Sequence, residues 1–130
     1  AEGCVPMDEG TVKAAIGRHL THRKEMTIRH LGGRSAVTHY RVLKRFDDCT
    51  LLEVSLETGR THQIRVHMAH LGHGLLGDAV YGRRAGAERQ MLHAWQLGFT
   101  HPRSLQWMQF TSPLPEDFRA AGVNLQAPLD

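Results

Sequence analysis

The chain has 130 residues, 41% hydrophobic and 22% charged, with a formal net charge of +3; these are ordinary values for a single globular domain with a sizeable core. Cys4 and Cys49 are too few and too far apart for a disulfide framework or a structural zinc site. No apolar run of about 18 residues, secretory leader or lipidation signal occurs, so the expectation is a reduced, cytoplasmic protein without membrane insertion.

The charge is unevenly spread. Residues 12–45 hold Lys13, Arg18, Arg23, Lys24, Arg29, Arg34, Arg41, Lys44 and Arg45 against Glu25 alone, a local balance of +8. Arginine, whose planar fork grips phosphate at two points, outnumbers lysine over the chain. The pattern suits a nucleic-acid surface or, equally, a solvated face of a basic protein.

In chain order, the first 22 residues contain Gly3, Pro6, Gly10 and Gly17 without a sustained period and read as loop or as the tail of an element that begins earlier. Met26 to Arg29 suits a short strand, Gly32-Gly33-Arg34 a turn, and Thr38, Tyr40, Val42 and Phe46 one face of a longer strand. Leu52, Val54 and Leu56 alternate with Glu53 and Ser55 in a second strand, completing an antiparallel hairpin. Next comes a helix with Thr61 as N-cap, Ile64, Met68 and Leu71 as its apolar stripe, and Gly72 as its stop.

Beyond it, Gly72, Gly74, Gly77 and Gly82 mark an irregular loop, in which Asp78 most simply closes its own turn. Leu92 to Phe99 and Leu105 to Phe110 read as strands around a turn at His101-Pro102-Arg103-Ser104, with Trp95 and Trp107 expected in the core rather than as a base-stacking platform. Pro113 to Phe118 opens a short helix with acids in its first turn and Gly122 at its end. The class is α+β, a mainly antiparallel mixed sheet with a few short helices, in a single domain over 1–130.

The segment from Leu56 to His67 is the most informative. It crowds Arg60, His62 and Arg65 at a helix start, where the dipole disfavours cations, while its nearest acids are Glu57 in the preceding strand and the distant Asp78. The cations therefore call for an anion, either a phosphate or a carboxylate from outside the segment. His62, His67, His70 and His73 also raise a metal site, yet no acid lies between His62 and His73 and the zincin spacing is missing. Helix-capping, RNA-contact or core hydrogen-bonding roles suit these histidines better. No nucleotide-cofactor fingerprint or Ser-His-Asp pattern appears, and the expectation is neither metal nor cofactor.

Gly59 to His67, with His70-Leu71-Gly72-His73-Gly74-Leu75-Leu76-Gly77-Asp78-Ala79-Val80-Tyr81-Gly82, resembles the C-terminal half of the catalytic domain of RNA pseudouridine synthases of the large-subunit type D and A group. The likeness continues through Leu92-His93-Ala94, Leu97 to Pro102 and Pro113 to Phe118, and upstream includes Ile16-Gly17-Arg18-His19, Arg23-Lys24 and Met26. The resemblance implies isomerisation of uridine in RNA, ribosomal RNA above all, by an aspartate nucleophile acting on a flipped-out base without a cofactor. It implies that Arg65 pairs with that aspartate, that Arg60, Thr61, His62, Gln63, Arg18, Arg23 and Lys24 contact substrate or RNA, and that Leu75, Leu76, Asp78 and Tyr81 line the pocket.

Two departures qualify it. The family's His-Arg-Leu-Asp nucleophile segment has no counterpart here, and none of Asp8, Asp47, Asp48, Asp78, Asp117 or Asp130 stands in such a motif. The expectation is a catalytic-domain portion that is inactive alone and has the nucleophile-bearing N-terminal half as its partner. Gly74 stands where the family usually has proline, which predicts a looser loop beside the pocket. The rival readings are a non-catalytic RNA-binding module and a metal-dependent hydrolase built on His62 to His73.

Overall fold

The structure, a computed structural model, describes residues 1–83 and 87–120. They form two compact units, divided between Met91 and Leu92. The class is α+β, and every described strand pairing is antiparallel, so three small antiparallel sheets stand in place of the expected mixed one.

In the first unit, β1 (Glu9–Lys13), β4 (Val37–Arg45) and β5 (Thr50–Leu56) form a sheet in the order β1-β4-β5. The predicted hairpin is β4–β5, its alternation broken by a bulge between Val42 and Lys44. β2 (Ile16–Arg18) pairs with β3 (Met26–Ile28), the short strand expected there.

The loop reading of the first 22 residues fails, because β1 and β2 lie within it. Val12, Ala14 and Ile16 alternate inward and are all buried. The glycines that argued for a loop admit neighbours instead: a Cβ on Gly10 would sit 2.6 Å from the Tyr40 hydroxyl, its cross-strand partner, and one on Gly17 would sit 2.9 Å from Arg29 Cδ.

The helix α1 (Gln63–His70) is present, but its cap and buried face differ from expectation. The N-cap is His62, in the left-handed region at φ 56, not Thr61. Gln63, Val66, His67 and Met68 are buried, whereas Ile64 is half-buried and Leu71 exposed. Val66 packs with Ile16 and Ala36, and Met26, Ile28 and Tyr81 close over that cluster. At the other end Gly72, at φ 87, ends the helix as expected: its N–H bonds to Ala69 O and that of His73 to Met68 O, the Schellman pattern.

Polar side chains orient this helix. Gln63 Nε2 donates to Val37 O at 3.0 Å and to Thr38 Oγ1 at 2.9 Å, and its Oε1 accepts from Thr58 Oγ1 and the Arg60 N–H. His67 Nε2 lies 2.9 Å from the Ala14 carbonyl and Nδ1 lies 2.7 Å from Thr38 Oγ1. A carbonyl only accepts, so the network assigns the proton to Nε2 and leaves Nδ1 to accept from the Thr38 hydroxyl. Thr38 and His67 are 0% exposed, and each polar side-chain atom in the chain from Gln63 through Thr38 to His67 has a partner.

In the second unit, β6 (Gln96–Thr100) pairs with β7 (Trp107–Thr111) around the predicted turn, where His101 Nδ1 accepts from the N–H groups of Arg103 and Ser104. Both strands are shorter at their N-terminal ends than expected. The core assignment fails for Trp107, which is 66% exposed and lies across Gly98, and Trp95 is half-buried outside any strand. The short α2 (Glu116–Ala120) carries Glu116 and Asp117 in its first turn and buries Phe118; Gly122, its expected end, lies outside the described residues.

Burial lowers the basicity of His67, with its carbonyl partner opposing and His70 assisting. A histidine with a folded pKa below its unfolded value contributes full stability above about pH 6.5 and loses it as the unfolded chain takes up protons below that value. Urea titrations from pH 7 to 5 should show stability falling with pH in the parent, and a shallower fall in His67→Gln. Parallel curves would refute the buried neutral assignment.

Candidate active site

Arg65 lies on the first turn of α1, and its anion is Asp78. Nε donates to Oδ2 at 2.9 Å and Nη2 to Oδ1 at 3.0 Å, a two-point, side-on pair. The side chains are 11% and 0% exposed. Of the partners expected from sequence, a phosphate or a carboxylate, the described residues supply the carboxylate, from the loop that follows the helix.

Asp78 also closes its own turn, as expected. Oδ1 accepts from the backbone N–H groups of Val80 at 3.0 Å and Tyr81 at 3.1 Å. Burial works against the carboxylate, but the Arg65 hydrogen bonds, the N–H groups of Tyr81 and Val80 and the Arg65 charge outweigh it and hold its pKa below the ordinary value. Arg65 is held above its own ordinary value, chiefly by its hydrogen bond to Asp78.

The loop is tight throughout. Gly77 adopts φ 74, and a Cβ there would fall 2.0 Å from the Arg89 carbonyl oxygen. Gly74 is buried, 3.0 Å separating a Cβ there from Gly82 Cα, and its carbonyl accepts from the Glu2 N–H at 2.7 Å. Leu75 is buried and Leu76 half-buried, and their carbonyls accept from the N–H groups of Asp78 and Met91.

Tyr81 joins this loop to the two other elements. Its ring lies 5.0 Å from the Arg65 guanidinium carbon, and its Oη accepts from the Met26 N–H and contacts His62 Nδ1, both at 2.8 Å. Burial first, and then the Arg65 charge, lower the His62 pKa, with Asp78 opposing. His62 Nε2 and Arg65 Nη1 have no hydrogen-bond partner among the described residues.

The other sequence-predicted residues fall into three groups. Gln63 is 3% exposed with its amide fully engaged, so it braces the junction between β5 and α1 and has nothing to offer a ligand. Arg60 is half-buried, with Nε on the Ser35 carbonyl, while Thr61 is exposed. Arg18, Arg23 and Lys24 are exposed at the turn between β2 and β3, with Arg18 Nη1 on the Arg23 carbonyl. Because β3 begins at Met26, that basic turn is anchored to the ion-pair site through Tyr81.

No three His, Cys, Asp or Glu side chains gather as metal ligands among the described residues. His62, His67 and His73 turn instead to Tyr81, to Thr38 and Ala14, and to the Glu2 carbonyl. No described helix is long and apolar enough to cross a membrane. Sequence reasoning missed the Met26 anchor and the role of Ser35, both of which act through backbone groups that carry no sequence signal.

Comparison with known proteins agrees with the motifs. The family described as RNA pseudouridylate synthase matches residues 4–70. A Chloroflexus aurantiacus protein described as an uncharacterized RNA pseudouridine synthase is 52% identical over 124 residues, covering 93% of this chain and 39% of that one. A Nitrosomonas europaea protein described as ribosomal large subunit pseudouridine synthase D is 52% identical over 122 residues, covering 86% and 35%. Among solved structures, human RNA pseudouridylate synthase domain containing 1 superposes with a TM-score of 0.75 at 31% identity, over 87% of this chain and 51% of that one. The chain thus spans 39% and 35% of the lengths of these two curated relatives.

Asp78→Ala should destabilise the first unit by about 3–5 kcal/mol, the typical cost of leaving a buried charge unpaired. Asp78→Asn, which keeps an oxygen for Val80 and Tyr81, should lose less, and urea denaturation at pH 7 checks the order. The stability contributed by this carboxylate is present above its ordinary value of 3.8 and is lost as pH falls through the lower folded value.

Proposed function

Since the chain belongs to the RNA pseudouridylate synthase family, we propose that it forms the arginine-bearing, RNA-facing part of a single catalytic domain that isomerises uridine to pseudouridine in ribosomal RNA in the cytoplasm. The reaction breaks the bond between N1 and C1′ and forms one between C5 and C1′; C5 loses a proton and N1 gains one, so no cofactor is consumed. The nucleophilic aspartate belongs to the N-terminal half of the domain, the partner of this chain.

The observation that carries the proposal is the side-on geometry of Arg65. Asp78 occupies the fork made by Nε and Nη2 and holds the guanidinium rigidly, leaving Nη1 at its outer edge without a protein partner among the described residues. That edge suits a second carboxylate, the nucleophile. Asp78 is a positioning residue on this reading: it is fully buried and held by four donors, three on Oδ1 and one on Oδ2, and so is poorly placed to attack a sugar. The exposed cations Arg18, Arg23 and Lys24 supply the phosphate contacts that hold RNA beside it.

Tritium release from ribosomal RNA labelled at uridine C5 tests the proposal. The chain alone should release none yet bind RNA in a salt-sensitive manner; release by the chain alone, abolished in Arg65→Ala, would place the nucleophile within these residues. In a complete enzyme, Arg65→Ala should lower turnover by roughly 10²-fold or more with little change in RNA affinity, and equal losses would refute the pairing.

Replacing Arg18, Arg23 and Lys24 together by Ala should weaken RNA binding and flatten the slope of log K against log salt by about 0.7 for each phosphate that is no longer neutralised. An unchanged slope would move the RNA surface elsewhere.

A further inference from the structure

Tyr81 Oη joins β3 and the start of α1 to the Asp78 loop. It accepts from the Met26 N–H at 2.8 Å and lies 2.8 Å from His62 Nδ1. A phenol offers one proton, and with Met26 occupying a lone pair the arrangement that uses every group has the Tyr81 hydroxyl donating to Nδ1. The imidazole proton then sits on Nε2, which has no partner among the described residues. The Tyr81 ring meets the imidazole edge-on, with centroids 5.6 Å apart at 67°.

The backbone adds an independent sign. His62 holds φ 56 and its side chain caps no helix N–H. A left-handed position is uncommon for a residue other than glycine, and such positions collect where a side chain is put to use.

We infer that Tyr81 is a positioning residue that fixes His62 as a neutral donor, its Nε2–H directed to a carbonyl oxygen of the uracil base at the Arg65 site. This rests on the RNA reading above and names the base contact within it. A base carbonyl fits better than phosphate for two reasons. Phosphate favours a protonated imidazole, and a proton on Nδ1 would cost the Tyr81 hydroxyl proton its acceptor. The cations of the β2–β3 turn already suit phosphate.

The test uses the 130-residue chain and two single-stranded RNA oligomers, identical except that one carries uridine and the other an abasic ribose at the central position. His62→Ala and Tyr81→Phe should each weaken binding of the uridine oligomer about five-fold, the loss of one neutral hydrogen bond, and leave the abasic oligomer unchanged. His62→Gln, which keeps an N–H donor, should recover part of the loss. In the parent, NMR should correlate the Tyr81 hydroxyl proton with His62 Nδ1.

Equal losses on both oligomers would mean a backbone contact and overturn the inference. Loss in His62→Ala with none in Tyr81→Phe would overturn the positioning role. Parental binding by both variants would overturn the base contact while the RNA reading stands; failure of the parent to bind either oligomer would remove both. Should Tyr81→Phe fail to fold, the correlation and the two His62 variants decide.

Discussion

The ion pair between Arg65 and Asp78 is the constraint around which the rest of the site is arranged. A carboxylate with no solvent exposure has to find donors inside the protein, and Asp78 finds four, two from the guanidinium and two from its own turn. The turn that brings in Val80 and Tyr81 requires the left-handed Gly77, against which the 87–89 backbone packs too closely for any side chain. In return the carboxylate offsets the repulsion between Arg65 and the positive end of α1, so a cation persists where the helix dipole disfavours it. The pair is weak evidence for stability by itself, since desolvation consumes much of the Coulomb gain, but it fixes the guanidinium in one orientation. Orientation is what a site with an unshared guanidinium edge needs.

A second polar network governs the opposite end of the same problem. Gln63, Thr38 and His67 secure α1 to β4 and to the Ala14 carbonyl with directional bonds, each donor meeting one acceptor. The helix has eight residues and a small apolar contact around Val66, so burial alone specifies its rotation poorly. The buried polar chain removes that freedom, because turning the helix would leave several groups unsatisfied at once. Arg65 is therefore held twice, by its own carboxylate and by the helix that carries it.

What the sequence disclosed follows from which signals are local. The β4–β5 hairpin was legible because Leu52, Val54 and Leu56 alternate over a full strand, and the Gly72 stop because a helix end needs a residue that tolerates positive φ. β1 and β2 were not, although Val12, Ala14 and Ile16 alternate: the glycines that obscure them serve close approach by Tyr40 and Arg29, and that requirement arises only once the strands pair. The buried face of α1 was misjudged for a related reason. Counting apolar residues placed Met68 inward correctly but also favoured Ile64 and Leu71, whereas the remaining inward positions include Gln63 and His67, which burial accepts because partners distant in sequence complete their bonds. Trp107 shows the limit of composition, since a large aromatic residue beside a glycine packs across it and stays largely exposed.

The sequence by itself determined the family, the α+β class, the presence of a short helix bearing Arg65 and the demand for an anion beside it, since motif, alternation and charge imbalance are properties of neighbouring residues. Only the tertiary structure decided which anion answers, which edge of the guanidinium stays open, and that Tyr81 ties His62 to Met26. Those outcomes depend on distances between groups 13, 19 and 55 residues apart, and no local pattern encodes a distance across a fold.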